Sequence, residues 1–172
     1  MINVKNGREV KYLGYGYNEN NIYKEAIIKF MKYSLEKEGL ESMLTGKIVD
    51  LGCGDGGVLN ELSKQYFIEP VGVDLFPIKK YDNISYLEED ILKTSIPDKS
   101  ANIVYCVNLL TALDDAISPR DLFKEIDRIL APGGLFIVMS DSGDFVSGAF
   151  KSAGYKDYHW SVTTHIFQKD GK

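Results

Sequence analysis

Short apolar runs alternate with stretches of helical periodicity along most of the chain. Apolar and polar residues do not alternate strictly within these runs, which is typical of strands buried on both faces of a sheet. Such strands separated by helices predict an α/β fold, with a doubly wound, mainly parallel sheet and helices on both faces. The predicted strands are residues 47–50, 70–74, 84–87, 101–107, 135–139, 155–160 and 163–168.

A first amphipathic helix is predicted ahead of these strands. It begins at Asn20 or Asn21, where an amide side chain can cap the helix, and it ends near Gly39. Lys24 falls on the solvent-facing side of this helix. The apolar stripe on the other side contains Tyr23, Ala26, Ile27, Phe30, Met31, Ser34 and Leu35.

Three further helices are predicted within the alternating part of the chain. One follows Gly57, one begins at Ser118 with a proline in its first position, and one covers residues 145–153. The Pro-Gly-Gly sequence at 132–134 is expected to end the helix that begins at Ser118. Residues 75–83 leave little room for a helix between the second and third strands.

The length and composition predict a single domain. A chain of 172 residues is large enough to bury one core, and nothing in its composition marks a second boundary. Residues 1–19 show no clear periodicity and are predicted to form an irregular arm. Within the single domain of residues 1–172, the arm and first helix cover residues 1–46, and the strand-rich core covers residues 47–172.

The first predicted strand runs into a glycine-rich turn at Gly52, Gly54 and Gly57. A strand, a glycine turn and a helix in this order bring bare backbone up to a nucleotide. Asp74 closes the second strand 24 residues after Asp50, close to the spacing of about 20 at which an acid binds ribose hydroxyls. The glycines also fit the pattern of nicotinamide enzymes, but an acid such as Asp50, two places before the first glycine, is unusual there.

Charge and cysteine content narrow the possible functions. A formal net charge of −5 and a pI near 5.1 argue against a broad nucleic-acid surface, which needs clustered Lys and Arg. Cys53 and Cys106 are predicted to be reduced and buried, as in a cytoplasmic protein, and no spacing suggests a metal site. The sequence contains no apolar run that predicts an export signal or a membrane span.

The sequence Asp-Leu-Gly-Cys-Gly-Asp-Gly at residues 50–56 resembles motif I of the class I S-adenosylmethionine-dependent methyltransferases. The resemblance extends to Asp74, to Glu-Asp-Ile at 89–91 and to Arg-Ile-Leu-Ala-Pro-Gly-Gly at 128–134. It implies a Rossmann-like sheet of seven strands whose last strand is antiparallel, with S-adenosylmethionine as the cofactor. The later motifs are most similar to those of the small-molecule branch of the family.

The resemblance also implies roles for the residues that bind adenosine. Asp74 is expected to bind the ribose hydroxyls, and Leu75 or Phe76 to lie against the adenine face. Asp90 is expected to accept a hydrogen bond from the adenine exocyclic amine. The Ile91 side chain is expected to pack against the ring.

A second group of residues is expected to bind the methionine end of the cofactor. Asp50 is expected to hold the loop or the amino group, while Asn108 and Leu109 face the methionine and the reactive methyl. Tyr17 belongs to an arm that we expect to fold over the cofactor. The backbone expected to approach the ribose and methionine belongs to Gly52, Cys53 and Gly54.

The acceptor chemistry stays open at this stage. No side chain stands out as a general base, and methyl transfer does not require one, because alignment of the two reactants supplies most of the catalysis. Asp55 has a simpler explanation as a solvated loop acid. A small-molecule acceptor is expected; an RNA or protein methyltransferase, a non-catalytic S-adenosylmethionine-binding protein and a nicotinamide-dependent reductase are the alternatives.

Overall fold

The computed structural model describes residues 2–5, 8–11, 21–107, 109, 118–139, 144–161 and 164–171. Strands and helices alternate along these residues, as the hydrophobic pattern predicts, and a short 3-10 turn covers Glu41–Met43. The described helices are all too short or too polar to serve as a membrane span. In chain order the elements are β1 Ile2–Lys5, β2 Arg8–Lys11, α1 Asn21–Lys37, β3 Gly46–Leu51, α2 Gly57–Gln65, β4 Ile68–Asp74, β5 Ser85–Glu88, β6 Ala101–Val107, α3 Pro119–Ile129, β7 Leu130–Met139, α4 Asp144–Ser152, β8 Lys156–Ser161 and β9 Thr164–Gln168.

Seven strands form one mixed sheet in the order β5-β4-β3-β6-β7-β9-β8. The pairs β5–β4, β4–β3, β3–β6 and β6–β7 are parallel, and β9 runs antiparallel to both β7 and β8. The predicted doubly wound sheet with an antiparallel last strand is therefore confirmed. The chain order reverses at β3, which lies between β4 and β6, and ligands of such sheets bind beyond the carboxyl ends of the strands at this point.

The core consists of two apolar clusters, one on each face of the sheet, because neighbouring residues of a strand point to opposite sides. Val49 of β3 belongs to the cluster that also contains Leu122 of α3 and Phe150 of α4. Ile48 belongs to the cluster that contains Met31 of α1 and residues of α2. The helices cover both faces, which explains why the strands read as continuous apolar runs.

The prediction of an irregular arm over residues 1–19 is wrong for its first half. β1 and β2 pair as a two-stranded antiparallel sheet, with Ile2 opposite Lys11 and Lys5 opposite Arg8. The sequence signal was the Asn-Gly dipeptide at residues 6–7 between two short runs, which is a strong hairpin indicator. The rest of the arm lies outside the described residues.

The predicted end of α3 is also wrong. The helix ends at Ile129 and β7 begins at Leu130, so that the Pro-Gly-Gly sequence lies inside the strand rather than after the helix. The register passes from Ala101 opposite Leu130 to Ile103 opposite Leu135, which makes a bulge in β7. Gly133 permits this bulge because its φ is +77°, a conformation that other residues rarely adopt.

The start and end of α1 agree with the prediction, but its buried stripe differs from it. Met31, Ser34 and Leu35 are buried as expected, together with Ile28, which the predicted stripe omits. Ala26 and Phe30 are exposed. The buried face is therefore rotated relative to the predicted one, and this rotation changes how exposed Lys24 is.

Residues 75–83 contain no helix, as their length predicts.

Candidate cofactor site

The glycine loop lies at the carboxyl end of β3, where the strand order reverses. Gly52, Gly54 and Gly56 have φ values of +79°, +54° and +76°, which only glycine adopts without strain. The N–H groups of Gly52 and Cys53 both donate to the Val73 carbonyl, at 2.8 and 3.1 Å. The loop therefore wraps around the end of β4 and brings its backbone close to the end of the neighbouring strand.

Asp74, the last residue of β4, joins two segments through its carboxylate. Its Oδ2 accepts a hydrogen bond from the Gly54 N–H at 3.0 Å, and its Oδ1 accepts one from the Phe76 N–H at 2.9 Å. A carboxylate oxygen accepts more than one hydrogen bond, so both oxygens keep capacity for a ligand hydroxyl. The Asp74 carbonyl accepts from the Glu89 N–H at 3.1 Å, which brings the segment containing Asp90 alongside.

Asp50 places a carboxyl group inside the protein, beneath the glycine loop. It is 5% exposed and lies opposite Tyr105 in the pairing of β3 with β6. Burial raises the pKa of Asp50 to about 8; the Tyr105 hydroxyl opposes this rise, and the charges of Asp74 and Asp55 add to it. The buried Tyr105 hydroxyl has no hydrogen-bond partner among the described residues. Sequence reasoning missed Tyr105, because its place opposite Asp50 depends on strand pairing.

Asp55 and Lys24 form an ion pair, with 2.7 Å between Lys24 Nζ and Asp55 Oδ2. Their side chains are only 13% and 12% exposed, so the predictions of a solvated loop acid and a solvent-facing lysine are both wrong. Asp55 Oδ1 also accepts from the Gly57 N–H at 2.9 Å, which caps α2. The two residues are 31 positions apart, and no local sequence pattern predicts such a contact.

Cys53 contributes packing to the loop. It is 8% exposed, and a Cβ added at Gly72 would lie 2.7 Å from its sulfur, so its side chain fills the space beside β4. Burial raises the pKa of the Cys53 thiol far above its ordinary value, which leaves the thiol protonated and unreactive. Cys53 and Cys106 are both free and buried, in agreement with the prediction.

The remaining predicted residues are spread around this loop. Leu75 and Phe76 are half-buried directly after β4, and Asp90 Oδ1 accepts from the Leu92 N–H at 3.0 Å. Ile91 is 6% exposed and belongs to the apolar cluster beneath. The Leu109 side chain packs against Gly52 of the loop: a Cβ added at Gly52 would lie 2.7 Å from Leu109 Cδ1. Tyr17 and Asn108 lie outside the described residues.

The charges around the loop fit a cationic nucleoside better than a dinucleotide. A pyrophosphate needs free N–H groups and positive charge, whereas here the Gly54 N–H already donates to a carboxylate. Asp50, Asp55 and Asp74 together place acidic groups around one turn. Carboxylates accept hydrogen bonds from hydroxyl and ammonium groups and attract a sulfonium, so these acceptors agree with S-adenosylmethionine; Asp74 by itself would also suit the ribose of a nicotinamide dinucleotide.

Known proteins resemble this chain in sequence. A family model described as a methyltransferase domain matches residues 17–169. A sterol 24-C-methyltransferase of Gibberella zeae is 26% identical over 132 residues, which are 70% of this chain and 33% of that protein. The chloroplastic tocopherol O-methyltransferase of Arabidopsis thaliana is 27% identical over 134 residues, 69% of this chain and 38% of that protein. The chain thus spans little more than a third of the length of these curated relatives.

Solved structures share the fold at low sequence identity. The PH0226 protein of Pyrococcus horikoshii superposes with a TM-score of 0.59 at 21% identity, over 84% of this chain and 91% of that one. An S-adenosylmethionine-dependent methyltransferase of Mesorhizobium loti gives a TM-score of 0.56 at 16% identity, over 71% of this chain and 89% of that one. With the family match over most of its length and this sheet topology, the chain belongs to the methyltransferase domain family and has the class I S-adenosylmethionine-dependent methyltransferase fold.

Proposed function

We propose that this chain binds S-adenosylmethionine and transfers its methyl group to a small-molecule acceptor. The observation that carries the proposal is the Asp74 carboxylate, which is held by the N–H groups of Gly54 and Phe76 at the point where the strand order reverses. The cofactor-binding residues in this proposal are Tyr17, Asp50, Gly52, Cys53, Gly54, Asp74, Leu75, Phe76, Asp90, Ile91, Asn108 and Leu109.

Asp74 binds the ribose hydroxyls in this account. Two backbone N–H groups fix the carboxylate at 3.0 and 2.9 Å, so it is oriented before a ligand arrives. Asp90 is held in the same way by the Leu92 N–H and accepts from the adenine amine. Leu75 and Phe76 then supply the apolar surface for the ring.

The protein acts mainly by holding the reactants in line. When bound, the cofactor supplies a methyl group on a sulfonium, and its displacement needs the two reacting atoms close and aligned. The glycine loop brings backbone up to the methionine part, and the carboxyl of Asp50 lies beneath that loop. A cationic ligand favours the ionised form of this buried carboxyl, so Asp50 releases a proton when the cofactor binds.

Two observations support a small-molecule acceptor. The names of the relatives give a sterol, a tocopherol and 2-methyl-6-phytyl-1,4-hydroquinone as acceptors, all of them small molecules. The net charge of −5 disfavours RNA, because binding to phosphates needs clustered positive charge. The two free, buried cysteines suit a reducing compartment, and we include a cytoplasmic location in the proposal.

The Asp74→Ala variant tests this function through cofactor affinity. Loss of hydrogen bonds to a charged group costs about 1.5 to 3 kcal/mol, so calorimetry with S-adenosylhomocysteine should show binding weakened by about 10- to 150-fold. Asp82→Ala is the matched control, because Asp82 is an exposed acid on the connection that follows β4. Its affinity should stay within about twofold of wild type. Unchanged affinity in Asp74→Ala would remove Asp74 from the site.

A further inference from the structure

We propose that the Lys24–Asp55 ion pair keeps two opposite charges beside the glycine loop in balance, so that each partner tunes, in the opposite direction, the preference for the cationic cofactor over its uncharged-sulfur product. This inference rests on the proposed function, since it concerns S-adenosylmethionine and S-adenosylhomocysteine. It assigns a specificity-determining role to a helix residue that precedes every motif in the sequence.

The pair ties α1 directly to the turn that begins α2. Lys24 Nζ lies 2.7 Å from Asp55 Oδ2, and the lysine side chain runs so close to Gly57 that an added Cβ would lie 2.2 Å from Nζ. Asp55 Oδ1 accepts from the Gly57 N–H at 2.9 Å, and its carbonyl accepts from the Tyr86 hydroxyl at 2.7 Å. Asp55 is therefore fixed on three sides, and Lys24 supplies the positive charge.

Because the ion pair is buried, its charges are felt over a longer distance than exposed charges are. The Lys24 and Asp55 side chains are 12% and 13% exposed, so water screens the pair poorly. Lys80 is the other cation near Asp55, but it is 3.9 Å away and 49% exposed. Among the described residues, no ion pair involves Asp50 or Asp74. Lys24 thus neutralises the Asp55 carboxylate and leaves the carboxyl groups of Asp50 and Asp74 for the ligand.

The two ligands differ by one positive charge at sulfur and share the adenosine, amino and carboxylate groups. A change that only loosens the loop weakens the binding of both ligands alike and leaves the ratio of their affinities unchanged. A change in the loop's charge alters the ratio, because the responses of the shared ammonium and carboxylate groups cancel between the two ligands and only S-adenosylmethionine carries the sulfonium charge. The affinity ratio therefore separates an electrostatic role of the pair from a structural one.

The signs of the expected changes are opposite for the two partners. Lys24→Met leaves the Asp55 carboxylate uncompensated, so the loop becomes more negative and favours the sulfonium. Asp55→Asn keeps a side-chain oxygen to cap α2 but leaves the Lys24 charge uncompensated, which disfavours the sulfonium. One charge at about 10 Å changes the affinity ratio by about 3- to 16-fold for effective dielectric constants between about 50 and about 20.

The experiment measures dissociation constants of both ligands by calorimetry for the wild type and four variants. The ratio of affinities, S-adenosylmethionine over S-adenosylhomocysteine, should rise by about 3- to 16-fold in Lys24→Met and fall by a similar factor in Asp55→Asn. The double variant Lys24→Met/Asp55→Asn should return close to the wild-type ratio. Lys24→Arg keeps the charge and should also match the wild type.

The outcomes separate this inference from the proposed function. If the wild type binds neither ligand, the proposed function fails. If the wild type binds both and the single variants weaken both equally, the pair is structural and the inference is overturned. If Lys24→Met fails to fold, Asp55→Asn alone tests the inference, because the asparagine oxygen still caps α2. An unchanged affinity ratio in Asp55→Asn then overturns the inference.

Discussion

Asp50 places an ionisable group inside the fold, beneath the glycine loop. The carboxyl is 5% exposed, and its burial raises its pKa to about 8. Nothing basic forms an ion pair with it within the part of the chain that the structure describes. The protein therefore holds a carboxyl that is neutral over much of the physiological range, and a cation beside it would favour its ionised form.

The raised pKa gives a stability prediction for Asp50→Asn. In the unfolded chain an aspartate ionises near pH 4, whereas the folded pKa of Asp50 is about 8. Between these values unfolding releases a proton, so the stability present below about pH 4 is lost as the pH rises toward 8. The wild type should therefore lose stability relative to the variant by up to about 1.4 kcal/mol per pH unit.

Urea unfolding of both proteins at pH 5, 6.5 and 8 measures this effect. The free-energy difference between variant and wild type should grow steadily in favour of the variant. The same difference at all three pH values would show that Asp50 is already ionised in the folded protein, and the proposed proton release on binding would be lost with it.

Residues differ in how far the sequence predicts their position. The positions of Asp50, Gly52, Gly54 and Asp74 were predictable, because strand ends and glycine spacing fix them locally. The partners of Asp55 were not, because the contact with Lys24 depends on how α1 lies against α2. Tyr105 was missed for the same reason: its proximity to Asp50 follows from strand pairing, which a single sequence does not encode locally.

At the scale of elements, α3 is tied to the segment after β5 by a buried polar network. Glu125, 7% exposed, accepts from the Thr94 N–H at 2.8 Å and from the Thr94 hydroxyl at 2.7 Å. Arg128 donates to Glu125 at 2.6 and 3.0 Å and to the carbonyls of Thr94 and Ile96. The network holds the segment that continues from Asp90.

Arg128→Met should destabilise the protein without changing a contact of the glycine loop. It leaves the buried Glu125 carboxylate without its cation, which costs about 3 to 5 kcal/mol for a fully buried pair. Arg128 is 31% exposed, so about 1 to 3 kcal/mol is expected here. Denaturant unfolding measures the loss.

Lys124→Met is the matched control for that variant. Lys124 and Asp121 have the same three-residue spacing on α3, but their side chains are 63% and 52% exposed. Such pairs contribute little, so the change should stay within about 0.5 kcal/mol. Equal losses in the two variants would show that the Arg128 network adds nothing beyond an exposed pair.

Elements were predicted better than their boundaries. The N-terminal cap of α3 was predictable, because Ser118 accepts from the Arg120 N–H at 3.2 Å, as a local capping signal implies. The start of β7 was not, because Pro-Gly-Gly usually ends a helix and here forms a bulge in a strand. What decides between the two is the pairing with β6, which lies outside the local sequence.

At the scale of the whole molecule, the parallel sheet brings the acids together. Asp50 is the last residue but one of β3, Asp74 ends β4 and Asp90 follows β5, and these three strands are neighbours. The carboxyl ends of parallel strands meet at one edge, so these residues, far apart in sequence, lie at the same edge of the sheet. The alternation of strands and helices along the sequence predicts this arrangement. The identity of the acceptor depends on surfaces that this alternation does not describe.

The most direct measurement of the central claim is calorimetry with S-adenosylhomocysteine and NADH side by side. The acids around the glycine loop disfavour a pyrophosphate, so we expect saturable binding of S-adenosylhomocysteine and none of NADH at the same concentrations. Heat from NADH alone, with no response to S-adenosylhomocysteine, would contradict the account, because it would show that the glycine loop accepts a pyrophosphate despite its carboxylates.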